Sequence, residues 1–136
     1  MALGPRAVLE RLRQASVDRS VDDLGRLYAV DAVHEFPFTA PGFPSRLVGR
    51  DEIMNWTTAV WHTDAFRYER YRTLASYATD DPDTIVVEQE AIGTSAVTGA
   101  FALPNLMVLT VRDGQIVHLR DYVNVLAAAA AVGHEL

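Results

Sequence analysis

The chain has 136 residues, the size of one domain, and 49% of them are apolar, enough for a packed core. A net charge of −6 with no basic run argues against a nucleic-acid partner. There is no Cys and no Lys, which excludes a thiol nucleophile, a disulfide, an iron–sulfur or thiolate–zinc site and a lysine Schiff base. Pro5 to about Val17 predicts a first helix, with proline in the tolerated first turn and Val8, Leu9 and Leu12 as its apolar stripe. Ser20 reads as the N-cap of a short second helix ending at Tyr28. Ala32 to Pro37 predicts a strand, and Pro37, Pro41, Gly42 and Pro44 make the following stretch a loop. Asp51 opens a third helix to about Thr63, with Ile53, Trp56 and Val60 on one side.

The remainder reads mostly as strand: Phe66–Tyr77, Thr84–Ile92, Phe101–Val111 and Ile116–Val123. Asp80-Asp81-Pro82-Asp83 is a turn, and Asp113-Gly114 supplies the positive φ of a tight hairpin. An Ala-rich helix over Leu126–Val132 stops at Gly133. Helices followed by a run of antiparallel strands is an α+β pattern, and a strongly curved sheet folded around its helices would enclose a pocket. All of residues 1–136 are read as one domain. No membrane-spanning stretch and no signal-peptide region stand out, so a cytoplasmic location is expected.

Two strands carry carboxylates where apolar side chains are the rule. Alternation puts Glu88 and Glu90 on one face, while Asp121 shares a face with Leu119 and Val123. If all three acids point inward they converge in an apolar setting, where burial and like charge raise carboxyl pKa values and suit them to acid–base work. Alternation alone leaves the other choice open, with Val87, Gln89 and Ala91 packed inside and the glutamates facing water. His34 shares strand parity with Phe36 and reads as a proton shuttle or a hydrogen-bonded wall residue. Phe36, Phe38, Trp56 and Met107 shape an apolar substrate site or simply fill the core. Tyr68, Tyr71 and Tyr77 pave the sheet or a dimer interface. There is no phosphate-cradling or dinucleotide-binding glycine motif, and the four His lack the close pairing of a metal site. Neither cofactor nor metal is expected.

The strings Tyr28-Ala29-Val30-Asp31-Ala32-Val33-His34-Glu35-Phe36-Pro37, Gly49-Arg50-Asp51-Glu52-Ile53, Val111-Arg112-Asp113-Gly114-Gln115-Ile116-Val117 and Arg120-Asp121-Tyr122-Val123-Asn124 carry a resemblance. Together they resemble the SnoaL-like branch of the nuclear transport factor 2 superfamily. That resemblance implies an α+β cone of curved sheet and three helices, usually a homodimer; it does not imply one reaction, since one fold hosts many. Ketosteroid isomerases place their catalytic Tyr and two Asp where this chain has Leu12, Phe36 and Met107, all apolar. Limonene-type epoxide hydrolases place their two Asp at Glu90 and Asp121, but their Arg falls on Glu88. Phenazine-biosynthesis A/B-type proteins match more fully, with an acid-x-acid pair at Glu88 and Glu90, an acid at Asp121 and Asn at Asn124; many relatives also carry a strand Asn at Asn105.

The resulting expectation is a cofactor-independent acid–base enzyme of bacterial specialised metabolism, of cyclase, condensing or isomerase type. Its substrate would be a small apolar or aromatic carbonyl or epoxide compound. Asp121 would be the principal acid or base, with Glu90, Glu88 and His34 in support and Phe36, Phe38, Trp56, Asn105 and Met107 around the substrate. The alternatives are a non-catalytic small-molecule-binding module, a dimeric protein-interaction module and an epoxide hydrolase.

Overall fold

A computed structural model describes residues 2–133. The elements are α1 (Pro5–Asp18), α2 (Val21–Leu27), β1 (Tyr28–Glu35), β2 (Arg46–Val48), α3 (Arg50–Thr63), β3 (Phe66–Ala78), β4 (Thr84–Ser95), β5 (Gly99–Arg112), β6 (Gln115–Val123) and α4 (Val125–Ala131). The strands form one mixed sheet in the order β2-β1-β6-β5-β4-β3. Only the β1–β6 pair is parallel. This is the α+β architecture expected from the chain order, with the short Ala-rich helix at the end.

Local chemistry explains most boundaries. Pro5 opens α1, whose Val8, Leu9, Leu12 and Ala15 are buried in a single stripe, and Arg19 ends it in the left-handed region at φ 51°. The Ser20 hydroxyl accepts from the Asp23 N–H at 3.2 Å and caps α2. The α3 boundary begins one residue earlier than expected, because Gly49 at φ 90° turns the chain into the helix. Strand β1 starts at Tyr28, four residues early, since Tyr28 already pairs with Ile116 of β6. The three-residue β2 escaped sequence reading: it lies beyond the proline-rich loop and owes its existence to pairing with Val33–Glu35.

Helix α1 lies across β3, β4 and β5, and α3 lies against β1 and β2. Between them, Leu24, Ile53, Val87, Leu109, Ile116 and Leu119 form the most deeply buried part of the core. Among the described residues no helix is long and apolar enough to cross a membrane. His134 lies outside the described residues.

Candidate active site

The helices leave part of the concave sheet face uncovered, and there a cavity of about 480 Å³ opens. That volume falls within the range of small-molecule pockets. Strand alternation decides what enters it. On β6, Leu119, Asp121 and Val123 face the cavity. On β1, Ala32 and His34 face inward, Phe36 just past its end keeps the same parity, and His34 and Phe36 reach the cavity wall. On β5 the inward set includes Asn105 and Met107, directly opposite Val123 and Asp121.

These strands bring Asp121, His34 and Asn105 together. The Asn105 amide donates to Asp121 Oδ1 at 2.7 Å, and His34 Nε2 stands 3.4 Å from Oδ2. An ionised Asp121 can only accept, so in that state His34 Nε2–H is the donor of this contact. His34 Nδ1 is buried without a partner among the described residues, so the ring meets the site through Nε2. Phe36 stacks on the His34 ring at 4.5 Å, and Trp56 closes on Phe36 at 5.3 Å. Phe38 lies at the rim, 61% exposed, with its ring edge against Tyr122.

The inward convergence of three acids is not what the fold produces. Val87, Gln89 and Ala91 are among the buried members of β4, and Glu88 and Glu90 lie on the opposite, outer face. Glu90 stands opposite Arg72 on β3 and accepts from its Nε at 2.9 Å. Glu88 stands opposite Ala75 and Leu106. Asp121 is therefore the one carboxylate among the described residues lining the cavity. The Asp-Arg-Asp constellation of the epoxide-hydrolase comparison does not assemble, since two of its three positions point away. Asn124 accepts from the Ala127 N–H at 3.0 Å and caps α4.

Several residues line the cavity that the sequence did not place there: Tyr68 and Tyr71 were read as paving the sheet or a dimer interface, and Tyr28 and Arg13 were given no site role. The Tyr28, Tyr68 and Tyr71 phenols reach the site from β1 and β3. Burial pushes Tyr71 up to about 12, with Asp121 adding to the rise and the neighbouring Ser16 hydroxyl and Arg13 guanidinium opposing it. Burial, reinforced by Asp121 and Tyr71, also raises Tyr28 and Tyr68 well above the ordinary phenol value. All three are neutral donors near neutral pH. Arg13 of α1 donates to Gln89 Oε1 from Nε at 2.9 Å and from Nη2 at 2.7 Å, and its guanidinium lies 5.8 Å from the Tyr71 ring centre. Arg13 was hidden on the polar flank of a helical stripe. Gln89 was detectable, as a polar residue alternating with Val87 and Ala91.

Comparison with known proteins agrees with this architecture. The sequence matches the SnoaL-like domain family over residues 9–119. It is 34% identical over 111 residues to an uncharacterized PhzA/B-like protein of Pseudomonas aeruginosa, covering 79% of this chain and 74% of that protein. A Bacillus subtilis crystal structure provisionally named an isomerase superposes with a TM-score of 0.87 at 24% identity, covering 97% of this chain and 94% of the other. A phenazine biosynthesis-related protein of Pseudomonas aeruginosa superposes with a TM-score of 0.71 at 19% identity, covering 97% and 86%. The two superpositions speak for the shared fold alone.

Proposed function

The chain belongs to the SnoaL-like domain family, and from its site we propose a cofactor-independent acid–base enzyme acting on a small, largely apolar carbonyl compound. The observation that carries this reading is the single cavity carboxylate, Asp121, held between the Asn105 amide and the His34 Nε2–H. Asp121 takes the proton from a carbon next to the carbonyl. The C–H bond breaks, its electron pair moves into the carbonyl, and the oxygen becomes an enolate. The neutral phenols of Tyr28, Tyr68 and Tyr71 are the donors available to that oxygen, in a site lined mostly by apolar side chains. Returning the proton elsewhere gives isomerisation; attack of the enolate carbon on a second carbonyl of the same molecule gives cyclisation. His34 stabilises the ionised Asp121 and stands ready to share its proton.

The test is deuterium exchange next to the carbonyl, followed by NMR in heavy water across a panel of small aryl and alkyl ketones. General acid–base catalysis is worth about 10²–10⁴-fold, so Asp121→Asn should lose exchange by that factor while still binding the ketone in a thermal-shift assay. An Asp121→Asn protein that exchanges as fast as the parent would refute the assignment. Tight ketone binding with no exchange in the parent protein would favour the binding module. We also propose that two copies pair through the outer sheet face, where Val86, Leu106, Val108 and Tyr122 lie beside the Arg72–Glu90 pair. Sedimentation velocity separates monomer from dimer.

A further inference from the structure

We propose that Gln89 and Asn105 form a hydrogen-bonded relay carrying the charge of Arg13 across the sheet to Asp121. Each amide has one end already committed. Two Arg13 donors hold Gln89 Oε1, so the Gln89 NH₂ must point the other way, toward β5. There it meets only the Met107 thioether, at 3.3 Å, a weak acceptor for a group that is 3% exposed. Asn105 spends its NH₂ on Asp121 across on β6, so its carbonyl points back toward β4. That Oδ1 is buried and has no partner among the described residues. Gln89 and Asn105 are direct cross-strand partners, and such side chains on one face lie within reach of each other. A rotation of the Gln89 amide from the sulfur to Asn105 Oδ1 would satisfy both groups.

The polarity runs one way throughout. A cation sits at one end, two amides lie head to tail, and a carboxylate sits at the other end. Linked hydrogen bonds of one direction polarise each other, so closing the Gln89–Asn105 link strengthens the donor on Asp121 and favours its ionised form. Arg13 is anchored for this task by Thr73 at 2.9 Å and Glu10 at 3.0 Å. The other titratable groups facing Asp121 are His34 and Tyr28 from β1 and Tyr68 and Tyr71 from β3. Gln89 is thus a positioning residue that acts through Asn105. Its effect on catalysis rests on Asp121 being the working group; its effect on the Asp121 carboxyl does not.

The experiment is a carbon-detected NMR titration of the Asp121 carboxyl in the whole protein without substrate. Gln89→Met should raise the midpoint by about one pH unit, a tenfold change in the ionisation constant. Arg13→Gln should raise it as well, but by less when Gln89→Met is already present, because the path between them is cut. An unchanged midpoint in Gln89→Met, or an equal Arg13→Gln effect in both backgrounds, overturns the relay. In the parent protein, which needs no variant to fold, the Gln89 side-chain amide signals should move with the Asp121 midpoint. Signals flat across that range overturn it too. A protein without exchange activity whose carboxyl still responds to Gln89→Met would retain the relay and lose the enzymatic reading.

Discussion

Gly93→Ala tests the sheet that carries the site. Gly93 lies on β4 between Tyr68 of β3 and Phe101 of β5. A Cβ at this position would stand 2.0 Å from the Arg67 carbonyl oxygen and 2.9 Å from Phe101 Cζ. The first distance is 1.0 Å inside the 3.0 Å limit of real Cβ contacts. The Phe101 ring can swing aside, whereas the Arg67 carbonyl belongs to the β3 backbone, next to an irregularity between Tyr68 and Arg70. The strand itself must shift. Overpacking costs about 1–3 kcal/mol, and a clash with backbone belongs at the upper end, about 3 kcal/mol. Unfolding entropy near 60 °C is about 2.1 cal/mol/K per residue, so 136 residues give about 0.29 kcal/mol/K and the melting temperature should fall by about 10 °C. Calorimetry measures it. The same shift carries Tyr68 and Tyr71 out of place, so ketone binding should weaken as well. A melting temperature within about 2 °C of the parent would show that β3 does not approach β4 this closely.

Glu90→Gln should leave ketone exchange unchanged and cost about 1 kcal/mol in urea denaturation, because the Arg72 end of the pair is 60% exposed and screened by solvent while the Glu90 side chain is 17% exposed. A loss of exchange comparable to that of Asp121→Asn would mean that Glu90 reaches the cavity after all. Tyr71→Phe should soften alkaline unfolding. The Tyr71 phenol ionises near 10.0 when unfolded and near 12 when folded, so above pH 10 the unfolded chain holds fewer protons and stability falls with rising pH. That contribution is whole below pH 10 and is lost between about pH 10 and 12, at up to about 1 kcal/mol per pH unit. Denaturation curves across that window should fall less steeply for the variant, and parallel curves would contradict the burial of Tyr71.

Much of this protein was written locally. The α1 stripe, the Ser20 cap and the Asp113-Gly114 hairpin are short-range patterns, and each specifies an element on its own. Asp121 could be read as inward because both strand neighbours of its parity, Leu119 and Val123, are apolar. Glu88 and Glu90 could not be placed the same way. Val86 and Ile92 share their face while Val87 and Ala91 share the other, so both faces of β4 look buried. The choice fell to α1, which covers one face and sends Arg13 to Gln89, and to β3, which sets Arg72 against Glu90. Tyr28, Tyr68, Tyr71 and Arg13 reach the cavity from three elements distant in sequence. Periodicity reports which face of a strand can be buried; only the packing of the other elements decides which face closes a cavity and which side chains meet across it.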